Sequence, residues 1–443
     1  MKVSIFSFAA LLLPSLVSAQ LSGDVGPLTT YKTKLATKTC NVLNYGAVAD
    51  KSTDLGPPLT SAWAACKSGG VVVIPSGNYA LETWVTLTGG SATGIQLDGI
   101  IYRTGTSSGN MIFIEHTTDF ELYSTTSEGA VQGYGYVFHK AGSYGARILR
   151  LYKVTHFSIH DIALVDAPQY HLSMDTCEDG EVYNMVIYGG NEGGLDGIDV
   201  WGSNMYIHDI EVSNKDECVT VKNPSDHMLI SDIYCNWSGG CAIGSLGADT
   251  YIHHIEYQYV YSANCNQMMM LKSNGGSGNV TRVSFTNFIG HANAYSLDIN
   301  GYWTDASEAD GDGVLYTKLT FEDWKGDCAN GATRAPINVI CPDGNPCTNI
   351  QVEDFSMWTN SGSKEYYKCR SAWGDGGCLR SGSAHTSYTT STVTVTTATS
   401  WSASYMPSDL TTGFAISKSI SIPTIPTSFY PGRTPVSSLL GSS

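Results

Sequence analysis

The chain has 443 residues, 42% of them hydrophobic and 14% charged, a balance that excludes a disordered chain and supports a sizeable core. Forty acidic residues against twenty-four basic give a net charge of -16, so the surface repels nucleic acid and anionic membranes, and neither is expected as a partner. An anionic ligand must therefore meet cations placed locally.

Residues 1–19 read as a secretory signal: Lys2 supplies the basic start, Val3 to Val17 is mostly apolar, and Val17-Ser18-Ala19 offers a cleavage site before Gln20. The run is too short to span a bilayer, so a secreted, extracellular protein is expected. Twelve cysteines without a single Cys-x-x-Cys suit disulfides in an oxidising compartment better than a metal framework, and no metal or cofactor is expected. Proximity pairs Cys40 with Cys66, Cys218 with Cys235, Cys341 with Cys347 and Cys369 with Cys378; Cys177, Cys241, Cys265 and Cys328 are left over. Asn236 and Asn279 each open a glycosylation sequon.

Ser61 to Lys67 is the best helix candidate and sits near the N-terminal end, where it suits a cap carrying Cys66. Beyond it a motif recurs, apolar-x-(Asp/Asn)-apolar, with its third position at Asp161, Asn184, Asp209, Asp232, His254, Asn287, Asp323 and Asp354. The steps are 23, 25, 23 and 22 residues, then 33, 36 and 31. Within each unit short alternating runs such as "NMYIHDIEV" and "ECVTVK" are separated by Gly, Asn, Asp and Ser, the pattern of short strands and turns. Propeller blades need about 40–50 residues, and a coil of three short strands needs about half that. The chain therefore reads as all-β, a single-stranded right-handed parallel β-helix over residues 20–380 with a short N-terminal capping helix. Such a capped solenoid needs no partner to cover its core, so a monomer is expected. Ser381 to Ala403 holds fourteen Ser or Thr in twenty-three residues, and residues 381–443 read as an O-glycosylated tail packed on the solenoid.

In a solenoid, residues one repeat apart become neighbours. Asp175, Asp196 and Glu217 are 21 residues apart and are expected to line up on successive coils, with Asp199 and Asp216 beside them. A single Asp in such a fold is more simply a turn residue or a Ca²⁺ ligand. A register of carboxylates is costly, because like charges raise one another's pKa, and it supplies what glycoside hydrolysis needs: a protonated carboxyl beside ionised ones.

Gly193 to Asp199, "GGLDGID", resembles the Asn-Thr-Asp-Gly-x-Asp motif of the pectin-cleaving glycoside hydrolases that include the polygalacturonases. Asn214 to Cys218, "NKDEC", is similar to their Asn-x-Asp-Asp-Cys, and Gly239 to Gly247 to their Gly-His-Gly segment. Met270-Leu271-Lys272 stands where the family carries Arg-Ile-Lys. The departures are Leu195 for Thr, Glu217 for the second Asp, Gly239 at the expected His and Met270 for Arg. That set resembles the fungal rhamnogalacturonan hydrolases, whose substrate places neutral rhamnose next to galacturonic acid.

The resemblance implies that Asp216 is the general acid, that Asp196 and Glu217 hold and deprotonate the attacking water, and that the reaction inverts configuration. It further implies that Lys272 neutralises a substrate carboxylate, with Lys222 a weaker candidate for that task and Asp175 and Asp199 supporting or subsite groups. His291 and the aromatic pair Tyr302 and Trp303 are further candidates for the cleft. The expected partner is a pectic polysaccharide, rhamnogalacturonan I. The alternatives are a polygalacturonase or xylogalacturonan hydrolase, a Ca²⁺-dependent lyase on the same fold, and a non-catalytic carbohydrate-binding solenoid.

Overall fold

The computed structural model describes residues 21–399 and 401–436; the segment read as a secretory signal lies outside them. The chain winds into a parallel β-solenoid of about 12 turns. Among the described residues every strand ladder is parallel except one, in which Ser391–Val395 runs antiparallel to Glu365–Arg370 at the C-terminal end.

The recurring motif marks a backbone conformation. Asp161, Asn184, Asp209, Asp232, Asn287, Asp323 and Asp354 all have φ between 46° and 59°, the left-handed region that Asp and Asn enter more readily than other side chains. They stack as one column of turns, each ending a strand segment and redirecting the chain. One member of the sequence pattern belongs elsewhere. Ser231 pairs with Gln258, so the residue in that column after Asp232 is Tyr259, φ 54°, and not His254. Asp226 pairs with His253, which puts His254 in a neighbouring turn column above His227. The pattern matches His254 because both columns carry the same backbone turn.

Inside the coils, buried aliphatic side chains stack in rows, and in the later coils aromatics take over. Phe285 stacks on Phe321 at 4.7 Å and Phe288 on Trp324 at 4.2 Å. Such pairs add about 0.5–1.5 kcal/mol each beyond the area they bury. The N-terminal end is closed by the helix Gly56–Cys66, longer than the sequence suggested. Pro57 and Pro58 occupy its first turn, where the amide hydrogens that proline lacks have no helical partner anyway. Leu59 covers the open apolar end formed by Ile74, Ile95, Leu97 and Ile101, and the Cys40–Cys66 disulfide ties the cap down. A second helix, Tyr31–Thr37, carries a fully buried Lys34 whose ammonium lies 3.0 Å from Asp119 and 3.6 Å from Glu121.

The C-terminal segment returns along the outside of the coils. Met406, Ile425, Phe429 and Tyr430 bury themselves against Val186, Tyr234, Tyr261 and Ile289, and Ile420 against Ala130, Ala163 and Val165. Arg433 donates to Asp232 at 2.5 Å, and the Val436 amide to Asp209 at 2.9 Å, so two acids of the turn column serve as anchors. No helix among the described residues is long and apolar enough to cross a membrane.

Candidate active site

The acids that sequence spacing brings together sit where one loop and the start of one strand meet. Ile198 pairs with Val219, a step of 21 residues, and the Gly197 amide donates to the Glu217 carbonyl at 2.9 Å, so Asp196 stands level with Glu217 on the adjacent coil. The strand Glu217–Asn236 begins only after a bend at Lys215, whose φ is 78°. Side-chain alternation therefore starts late, and Asp216 and Glu217 reach the same cleft although they are neighbours in the chain.

Four buried residues hold this corner. Asn214 donates from Nδ2 to the carbonyls of Leu195 at 2.7 Å and Glu217 at 3.0 Å, bridging the two acid-bearing segments. The Asp216 carbonyl accepts from Ser238 Oγ at 2.8 Å and the Gly239 amide at 2.6 Å. Gly239 packs so closely that a Cβ there would lie 2.7 Å from the Asp216 carbonyl carbon, which leaves room for no side chain. His171, fully buried, faces the carbonyls of Leu195 and Asp196 with Nδ1 at 3.2 and 3.1 Å and accepts the Ala167 amide on Nε2 at 3.3 Å. Nε2 also lies 3.2 Å from the Tyr188 carbonyl, and burial pushes the ring's pKa down to about 4, so it stays neutral.

One oxygen each of Asp196, Asp216 and Glu217 lie within 4.8 Å of one another. Asp216 accepts from the Glu217 amide at 2.9 Å and is in contact with the Gly194 amide. Lys222 places its ammonium 3.1 Å from Asp199 and 3.9 Å from Asp196, and Lys272 places its own directly against Glu217. Burial first, then the charges of Asp199 and Asp216, raise Asp196 well above the ordinary carboxylate range, against the pull of Lys222 and Lys272. Burial holds Lys272 below the usual lysine value despite the carboxylates around it. The cluster thus combines a carboxyl whose proton affinity is raised with acids that lysines contact directly. Three converging acids could also hold a hard cation, but the two ammonium groups already supply the positive charge such an ion would bring.

The acids line a cavity of about 490 Å³ with Tyr170, Lys222, Met270, Lys272, Trp303 and Asp305. A second cavity of about 520 Å³ adjoins it through Tyr170, Asp196, Lys222 and Ser245 and adds Arg147, Asp199, Trp201 and Asn223. Together they make a groove with the acids along it, the shape a polymer can lie across.

Residues 66–378 match the model of glycosyl hydrolases family 28. The chain belongs to that family. It is 65% identical over 438 residues to rhamnogalacturonase A of Aspergillus aculeatus, covering 99% of this chain and all of that one. It is 61% identical over 444 residues to a probable rhamnogalacturonase B of Aspergillus fumigatus, covering 99% of this chain and 85% of the relative. Among solved structures, an endo-xylogalacturonan hydrolase from Aspergillus tubingensis superposes with a TM-score of 0.66 at 22% identity, over 73% of this chain and 94% of that one. The polygalacturonase of Erwinia carotovora gives 0.55 at 16% identity, over 76% and 97%. These structures share the fold. Membership in family 28 makes the chain a glycoside hydrolase, which removes the lyase and the non-catalytic solenoid from the readings left open by the sequence.

Other residues expected in this family 28 cleft lie elsewhere. Asp175 pairs in register with Trp201, 26 residues on, so it is displaced from the column of Asp196 and Glu217; it accepts from Arg150 at 2.8 Å. The loop 189–197 lengthens that coil and breaks the 21-residue step. His291 is buried beneath the C-terminal segment, 2.9 Å from Asp327 and stacked on Tyr405 at 3.7 Å, and is not a cleft residue. Tyr302 accepts the Asp343 amide at 2.8 Å and lies under Arg370, whereas its neighbour Trp303 lines the cleft with the Lys272 ammonium 4.3 Å from its ring. Asn236 is fully buried, its amide nitrogen donating to Tyr234 at 2.9 Å and Asp409 at 3.2 Å, which leaves no path for a glycan; Asn279 lies at a partly exposed strand start. The four proximal cysteine pairs are disulfides, and Cys177, Cys241, Cys265 and Cys328 are buried thiols. Asn214 opens the "NKDEC" motif, whereas His171 and Asp305 carry no sequence signal, since only the fold brings them to the acids.

Proposed function

We propose that the protein is a secreted, endo-acting hydrolase that cleaves the bond between galacturonic acid and rhamnose in the backbone of rhamnogalacturonan I, with inversion at the anomeric carbon. The single observation that carries this reading is the full-length similarity to Aspergillus rhamnogalacturonases. The cleft agrees with it: Lys272 and Lys222 offer cations to uronate carboxylates, while Met270 and Trp303 offer apolar surface to a methylated, neutral sugar.

In this reading Asp216 protonates the departing glycosidic oxygen, and Asp196 and Glu217 hold the water and accept its proton as it attacks the anomeric carbon. Asp216 enters the reaction carrying the proton it donates, and the water's proton passes to Asp196 or Glu217, whose oxygens lie within 4.8 Å of that of Asp216. After the C–O bond breaks, the water's proton remains on the cluster and resets it. Asp199 steadies Lys222 against Asp196, and His171 and Asn214 hold the loop that carries Asp196.

Incubation with rhamnogalacturonan and with homogalacturonan, with and without a chelator, tests the proposal. New reducing ends from the first polymer alone, unchanged by chelation and without ultraviolet absorbance, are expected. Cleavage of homogalacturonan alone, or loss of activity with chelator, overturns it.

A further inference from the structure

A second group of metal-ligating side chains lies outside the cleft. His227, on one coil, and His253 and His254, on the next, each place a ring nitrogen within 4.8 Å of the other two. The register explains the meeting: Asp226 pairs with His253, so His227 and His254 occupy consecutive places in one left-handed turn column, with φ of 51° and 55°. Their rings stack at 4.7 Å, and His253 stands edge-on to His254 at 5.0 Å. All three are partly exposed, so an ion has an entry path, and none lines the catalytic groove.

The hydrogen bonds say which lone pairs are free. His227 Nδ1 donates to Asp226 at 2.6 Å, which leaves the Nε2 lone pair as a ligand oriented by a carboxylate, the arrangement that positions metal-bound histidines. Arg282 can only donate, so its 3.3 Å contact makes His254 Nε2 an acceptor and puts the ring hydrogen on Nδ1, pointing at His253 Nδ1 2.8 Å away.

We propose that His227, His253 and His254 form a surface site for a borderline divalent transition metal, Zn²⁺ or Cu²⁺, that fastens two adjacent coils together at this turn. Three imidazoles are the donor set such ions prefer, and hard cations such as Ca²⁺ do not. The ion takes the place of the hydrogen between His253 and His254; His254 then carries its hydrogen on Nε2, facing Arg282. Arg282 thus opposes binding, and the site holds metal more weakly than three histidines alone would.

Titration of the full-length protein with CuCl₂, followed by electron paramagnetic resonance, and with ZnCl₂, followed by calorimetry and thermal melting, tests this. One saturable site with nitrogen ligation and an upward shift of the melting temperature with Zn²⁺ are expected. His227→Gln or His254→Gln should abolish both, Asp226→Asn should weaken binding about 10- to 100-fold, and Arg282→Ser should tighten it. Hydrolysis of rhamnogalacturonan should be unchanged in all four variants. No saturable site in the wild type, or a site that survives His227→Gln and His254→Gln, overturns the proposal.

Discussion

Lys272 and Glu217 form a buried ion pair on the floor of the cleft, with side-chain exposures of 7% and 8%. Two charges removed from water compensate each other only while both are present, and breaking such a pair from one side commonly costs about 3–5 kcal/mol. Lys272→Met is therefore expected to lower the denaturant midpoint markedly, and Lys272→Met with Glu217→Gln to recover most of the loss while remaining inactive. Strictly additive effects in chemical denaturation would contradict a pair that is coupled in this way.

Asp216 as proton donor predicts a dependence on the leaving group. Asp216→Asn should reduce turnover of the polysaccharide about 10²- to 10⁴-fold with the fold intact by circular dichroism. On a rhamnogalacturonan oligosaccharide ending in a nitrophenyl glycoside, whose leaving group needs no proton, the variant should recover most of the wild-type rate. Recovery by Asp196→Asn in place of Asp216→Asn would move the donor role to Asp196.

Asp196 is raised chiefly by burial, then by Asp199 and Asp216. A carboxyl whose pKa is higher folded than its ordinary 3.8 contributes stability that is complete below that value and lost as pH rises through the folded pKa. At neutral pH the native protein therefore carries a penalty, about 1.4 kcal/mol for every tenfold rise in the carboxyl's proton affinity on folding. Asp196→Asn should melt higher than the wild type at pH 7, with the difference closing near pH 3, while activity is lost. An equal or lower melting temperature at pH 7 would refute a carboxyl whose proton affinity is raised by burial.

His171 touches backbone rather than substrate, so it is a positioning residue. His171→Ala should lower kcat substantially with KM nearly unchanged, because a displacement of about 1 Å in Asp196 can cost 10²-fold. His171→Gln, which keeps a donor for the Leu195 and Asp196 carbonyls, should restore part of it. An unchanged kcat in His171→Ala would show that the ring positions nothing the reaction needs.

The fold and the centre of the site are legible in the chain for one physical reason: a solenoid turns chain spacing into spatial neighbourhood. The 21-residue step between Asp196 and Glu217 is one coil, and the residues of the recurring motif sit at left-handed turns that favour Asp and Asn. The same logic fails where coils change length. Asp175 misses the column because its coil takes 26 residues, and His254 falls in a different turn because two columns share one backbone conformation. His291 is beyond such reasoning, since a segment more than 100 residues later in the chain covers it. The histidine cluster is invisible as a metal pattern because its members come from two coils.

Everything proposed for the cleft rests on Asp196, Asp216 and Glu217 hydrolysing the galacturonic acid–rhamnose bond by direct attack of water. Proton nuclear magnetic resonance of rhamnogalacturonan during the first minutes of digestion decides this. Direct attack predicts new reducing-end galacturonic acid that forms first with its anomeric configuration opposite to that of the cleaved bond and then mutarotates. First-formed product of retained configuration, an unsaturated uronate, or reducing-end rhamnose would contradict it.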